Sequence, residues 1–200
     1  MLALPDANLD LGCGSNPRNP YRRGNLHGID IHPMDLAPGI GFVVANLTLE
    51  PIPFPGNAFG SVSAFDFLEH VPRVLMTRDG TQTFSPFISV MNEIWRVLAP
   101  GGLLYALTPA YPSPAAFQDP THVNIITEET HTYFCGDKPY GSIYGFNGRF
   151  TARRAHWAVY KDSQLSAPLT FRQRYRLSRH RSRGKLTHFL WELEAVKSSG

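Results

Sequence analysis

Apolar residues in this chain cluster in short dense runs that end on an acid, an asparagine or a proline, with polar loops between them. Leu9-Asp10-Leu11 runs straight into Gly12-Cys13-Gly14, and an apolar strand stopped by a glycine pair predicts the opening of an α/β unit. Further runs predict strands at Leu26 to Asp30, Gly41 to Ala45 (followed by Asn46), Ser61 to Phe65 and Leu103 to Leu107. Between the last two, Phe87, Val90, Ile94 and Leu98 recur at three- and four-residue steps. They predict an amphipathic helix over Ser85 to Leu98, stopped by Pro100-Gly101-Gly102. Strands alternating with helical patterns predict a doubly wound, mostly parallel sheet covered on both faces, a Rossmann-like α/β fold. The first crossover, Ser15 to Asn25, carries Pro17 and Pro20 and has room for one helical turn at most.

The pattern changes towards the C-terminus. Phe171, Gln173, Tyr175 and Leu177 alternate with Arg172, Arg174 and Arg176, and Phe189, Trp191, Leu193 and Ala195 again hold alternate positions. Two period-2 runs joined by about ten polar residues predict a C-terminal antiparallel hairpin. Trp157 to Tyr160 is a candidate for another short strand.

Composition narrows the class. A chain of 200 residues, 42% of them hydrophobic, fits one domain with a real core. Glycine and proline, 17 each, fall short of the roughly 25–30% of low-complexity chains. No apolar run approaches the ~18 residues of a membrane span, and MLALPDANLD lacks the basic start of a signal peptide. Cys13 and Cys135 are too few for a disulfide scaffold, so the expected compartment is the cytoplasm. The net charge of +3 is mild, but Arg172, Arg174, Arg176, Arg179, Arg181, Arg183 and Lys185 stand together with no acid among them. Such a stripe either attracts polyanions or covers a solvated sheet edge.

The candidate chemistry begins at LDLGCGSNP. Gly12 and Gly14 let the backbone approach a ligand, while Pro17 stands where a dinucleotide fingerprint needs its third glycine. Asp30 ends the second strand, where a carboxylate can accept hydrogen bonds from both hydroxyls of a ribose. LDLGCG, HGIDI, ANLTLEPIPFPGNAFGSV, FDFLEHVPR and EIWRVLAPGGLLYALTP, in that order from Leu9 to Pro109, resemble the motifs of the class I (seven-strand) S-adenosylmethionine-dependent methyltransferases. The resemblance implies that Gly12, Gly14, Asp30 and Asn46 hold S-adenosylmethionine, with contacts from Asp10, Cys13, Ile31, Leu47 and Phe65. Asn46 stands where the family usually has an acid, and its Oδ1 can still accept from the adenine amino group. The expected chain has no N-terminal cap helices, the first strand starting close to residue 1.

Methyl transfer needs alignment and, for a hydroxyl acceptor, a base. His122 in FQDPTHVN follows the fifth strand and is the candidate base, with Asp119 either orienting it or capping the turn. His70 after Glu69 is expected to shape the pocket floor. Asp119, His122 and His131 match no metal-ligand spacing, so no metal is expected. The aromatic and glycine mixture from His131 to Phe150 is the candidate substrate lid. The chain thus divides into a cofactor-binding half (1–109), a lid (110–155) and C-terminal strands (156–200). The expected activity is O-methylation of a small polar or sugar-like acceptor. Two alternatives are an RNA methyltransferase using the 171–185 stripe and a non-catalytic partner subunit.

Overall fold

The structure is a computed structural model and describes residues 3–197. Seven strands form one sheet: β1 (Ala7–Leu11), β2 (Asn25–Asp30), β3 (Gly41–Val44), β4 (Phe59–Phe65), β7 (Leu98–Pro109), β8 (Phe150–Ala158) and β9 (His188–Ala195). A separate two-stranded ribbon joins β5 (Leu75–Met76) to β6 (Thr83–Phe84). The helices are α1 (Pro86–Val97), α2 (Ala115–Gln118) and α3 (Phe171–Ser182). The sheet order is β3-β2-β1-β4-β7-β9-β8; the first five strands run parallel and β9 is antiparallel to both its neighbours.

The five predicted parallel strands and the helix α1 all form. Alternation sorts the strand residues onto two unlike faces. Leu9, Leu11, Val62, Ala64, Leu104, Ala106, Trp191 and Leu193 join Val90, Met91, Ile94 and Val97 of α1 in one apolar core. A buried side chain of that size contributes about 1.5–3 kcal/mol, so this face supplies most of the stability.

The opposite face is polar where it meets the first crossover. No helix forms between β1 and β2. Asn8 and Asp10 lie beside Ser61 and Ser63 in register, and all four are buried. Ser61 Oγ donates to Asn8 Oδ1 at 2.7 Å, and Asn8 Nδ2 donates to Ser63 Oγ at 3.0 Å. Ser63 Oγ in turn donates to Asp10 Oδ1 at 2.6 Å. The extended crossover closes the chain of bonds, with the Arg18 amide donating to Asp10 Oδ2 at 2.7 Å and the Arg18 carbonyl accepting from Asn8 at 3.0 Å.

The C-terminal third corrects the hairpin. An antiparallel pair is present, but the partner of β9 is β8, which starts at Phe150. Phe171 to Leu177 lies in α3 instead. Thr170 and Gln173 form a reciprocal capping box at its start, and none of its residues is buried. Its half-buried stripe, Gln173, Arg176, Leu177 and His180, follows helical spacing and not the period-2 alternation, and the local cap fixes where the helix starts. Trp157 and Ala158 belong to β8, whereas Tyr160 opens a 3-10 turn. The register of β8 shifts between Ala152 and Arg154, and this bulge breaks the alternation that would have marked it in the sequence.

Replacing Asn8 by alanine takes away the acceptor of the buried Ser61 hydroxyl, while the Arg18 carbonyl keeps the Ser63 hydroxyl at 3.2 Å. Urea denaturation is expected to show a loss of about 1–3 kcal/mol, the usual cost of one stranded buried group.

Candidate functional site

The loop after β1 is shaped by its glycines. Gly12 and Gly14 sit at φ of +63° and +54°, a region that favours glycine. A Cβ on Gly12 would stand 2.8 Å from Cδ2 of Phe67, so the loop wedges against the exit of β4, whereas nothing lies within 4 Å of a Cβ on Gly14. The Gly14 amide donates to Asp30 Oδ2 at 2.9 Å, and the His32 amide donates to Oδ1 at 3.1 Å. A carboxylate accepts about four hydrogen bonds, so both oxygens keep lone pairs for a diol. Ile31 beside it is 57% exposed, an apolar surface open to a ring.

The other residues expected at the cofactor sit underneath. Asp10 is spent on Ser63 and Arg18, and burial pushes its carboxyl up to about 7 against those two stabilising hydrogen bonds. The Cys13 amide donates to the Ile29 carbonyl at 3.0 Å, and its buried side chain packs against Gly28. Burial first, then the Asp10 and Asp30 carboxylates, push that thiol up to about 12, which makes it inert at neutral pH. Phe65 is buried with the Arg18 guanidinium 5.6 Å from its ring centroid. These three support the loop from the sheet side.

Asn46 organises the turn after β3. Its Oδ1 accepts from the Thr48 amide at 3.1 Å, and its carbonyl accepts from Leu49 and Glu50. Leu47 is buried beside it. The turn is pinned to α1, where Glu93 accepts from the Ile52 amide at 2.9 Å and Arg96 donates to the carbonyls of Ile52 and Phe54.

A cleft of about 580 Å³ opens at the carboxyl ends of β4 and β7, lined among others by Asp66, Glu69, His70, Asp119, His122 and His188. The Glu69 carbonyl accepts from the amides of Val123 and Asn124, which fastens the turn Leu68–His70 to the loop carrying His122. The Glu69 side chain is 1% exposed; Oε2 accepts from Thr108 Oγ1 at 2.8 Å and Oε1 has no hydrogen-bond partner. Burial pushes this carboxyl up to about 8. His122 Nε2 stands 3.9 Å from that bare oxygen. His122 Nδ1 is 3.3 Å from the Ala116 carbonyl, which only accepts, so Nδ1 carries the proton and Nε2 the lone pair. Asp119 caps its own turn: Oδ1 accepts from the amide and the hydroxyl of Thr121 at 2.8 and 2.7 Å.

Glu69 was missed as a site residue, since only tertiary structure brings it to His122. The Glu-His pair at the end of FDFLEH was its one local signal. The aromatic segment from His131 divides. Phe134, Phe146 and Phe150 join the core, while Tyr133 and Tyr144 line a separate groove of about 440 Å³ over the start of α1.

Comparison with known proteins gives the family. The family model described as a methyltransferase domain matches residues 9–106. The chain belongs to the class I S-adenosylmethionine-dependent methyltransferases, enzymes whose cofactor is S-adenosylmethionine. Among solved structures, a chain of the complex formed by the Haloferax volcanii Trm112 methyltransferase activator aligns with a TM-score of 0.56 at 14% identity, covering 96% of this chain and 83% of that one. The geranyl diphosphate C-methyltransferase from Streptomyces coelicolor gives 0.52 at 14% identity, with 96% and 72% covered. The [4+2]-cyclase SpnF gives 0.53 at 15% identity, with 98% and 76% covered. At these identities the structures share the fold with this chain. No curated protein matches the sequence.

The raised Asp10 carboxyl has a consequence for stability. Its proton is bound more tightly in the folded chain than in the unfolded one, where the ordinary value is 3.8. The stabilisation it contributes is therefore full below pH 4 and is lost as pH rises through about 7. Asp10→Asn is expected to raise the melting temperature relative to the parent by several degrees more at pH 8 than at pH 5. Equal differences at the two pH values would contradict the assignment.

Proposed function

We propose that this methyltransferase acts on the hydroxyl oxygen of a small polar, sugar-like acceptor bound in the cleft between β4 and β7. One observation carries the reading: a buried, unpaired Glu69 oxygen faces the lone pair of His122 at the carboxyl edge of the sheet, where folds of this type bind ligands. Gly12, Gly14, Asp30 and Asn46 hold the cofactor, flanked by Ile31 and Leu47 and supported from beneath by Asp10, Cys13 and Phe65. S-adenosylmethionine, when bound, supplies an activated methyl group and a neutral thioether leaving group. His122 Nε2 takes the proton of the hydroxyl, and Glu69 faces the resulting imidazolium. Asp119 works at one remove, fixing the loop that carries His122.

A second reading rests on α3. Lys161, Arg172, Arg176, Arg179, Arg183 and Lys185 surround a groove of about 570 Å³ together with the exposed rings of Phe171 and Tyr175. Cations interleaved with stacking surfaces suit a single-stranded RNA acceptor. That reading requires RNA affinity that falls steeply with salt and drops further in Arg172→Glu/Arg179→Glu. Anisotropy titrations with a short oligoribonucleotide at two salt concentrations decide it, and salt-independent binding removes it.

For the leading reading, Asp30→Ala is expected to weaken S-adenosylhomocysteine binding at least tenfold by calorimetry. His122→Ala is expected to lower kcat about 100-fold with cofactor affinity unchanged, the usual loss on removing a general base. Isotopically labelled methyl groups traced to carbon or nitrogen in the product would overturn the oxygen assignment.

A further inference from the structure

The cluster at the cleft holds more than a proton acceptor needs. Glu69, His70 and His122 each offer one ligand atom, and the three atoms lie within 4.8 Å of one another. The two imidazole rings meet edge to face with centroids 4.7 Å apart. The hydrogen bonds around them fix where the lone pairs sit. Thr121 Oγ1 gives its proton to Asp119 at 2.7 Å, so at 3.0 Å it accepts from His70 Nδ1 and leaves the lone pair on His70 Nε2. The Ala116 carbonyl does the same for His122. Thr108 holds one oxygen of Glu69, and the other, buried and bare, completes the set. Two imidazoles and a buried, unpaired carboxyl oxygen converge with no hydrogen bond among the three side chains.

We propose that Glu69, His70 and His122 bind a divalent cation of the zinc, iron(II) and manganese class at the mouth of the acceptor cleft. Donors about 2.1 Å from one ion stand about 3–4 Å apart, and the 3.9 Å between Glu69 Oε1 and His122 Nε2 already meets that spacing. A two-nitrogen, one-oxygen set disfavours magnesium and calcium, which take oxygen ligands. Thr121 with Asp119, the Ala116 carbonyl and Thr108 form the outer hydrogen bonds that orient ligands in such sites. Three protein ligands facing an open cleft leave coordination positions for an acceptor.

The site itself stands on these three residues; its role in catalysis rests on the acceptor reading above. A hydroxyl ligated to the cation ionises near neutral pH. Its proton leaves to water in the cleft, and its oxygen forms the new O–C bond as the S–C bond of the donor breaks. His122 is then a ligand, and the cation takes over the activation of the hydroxyl.

Full-length protein stripped with a chelator is titrated with Co²⁺, read by its ligand-field absorption, and with Zn²⁺ and Mn²⁺ by calorimetry. The expected result is one equivalent bound, weakened at least 100-fold in His70→Ala and in the near-isosteric Glu69→Gln. Thr121→Val, which removes only an outer hydrogen bond, is expected to weaken binding about 10–100-fold. S-adenosylhomocysteine affinity, measured on the same samples, reports the fold and the cofactor site separately. No uptake by protein that binds S-adenosylhomocysteine overturns the cation site and leaves His122 as base. Uptake unchanged in both ligand variants overturns it too, by placing the ion elsewhere.

Discussion

The first crossover lacks a helix, and the rest of the N-terminal half is built around that constraint. A helix would cover the sheet with apolar side chains and satisfy its own backbone. An extended segment brings bare amides and carbonyls over β1 and β4 instead, and buried polar groups must be paired. The strands answer with Asn8, Asp10, Ser61 and Ser63, all buried and bonded to one another or to Arg18. Asp10, two residues before Gly12, ends this chain of bonds. The glycine loop is thereby set by a polar network where a packed helix would otherwise set it.

A second coupling runs through the exit of β4. Phe67 packs into the space left by the missing Cβ of Gly12, and Glu69 two residues later anchors the loop of His122 through its carbonyl. One short turn thus fixes both the glycine loop and the cleft that carries Glu69 and His122. In the proposed reading these two parts hold the donor and the acceptor, and a shared turn is a direct way to keep them aligned. His188 on β9 reaches Asp66 at 2.9 Å and ties the antiparallel strand to the same turn.

Much of this was legible in the residues, and the failures have physical causes. The five parallel strands and α1 were visible because burial on known faces imposes a period on the sequence. The stretch 171–177 was misread because α3 buries no residue fully, and its half-buried stripe of Gln173, Arg176, Leu177 and His180 is mostly polar, so the apolar alternation there carried no burial information. Thr170-Phe171-Arg172-Gln173 held the better signal, a capping box. β8 was largely missed because its bulge and its arginines hide the period; Arg153 and Arg154 are there to pair Glu194 and Glu192 across the sheet.

The sequence alone determined the layered fold, the glycine turn and the acid at the end of β2, because each follows from local constraints: chain period, positive φ, strand ends. Tertiary structure alone decided which groups meet. Thr121 and His70 are 51 residues apart in the chain and 3.0 Å apart in space. Cys13 is sealed beneath the loop against Gly28, and Glu69 on the turn after β4 stands 3.9 Å from His122 on the loop after β7. No spacing rule along the chain encodes those distances, since each depends on how two loops from different strands fold over the same sheet edge.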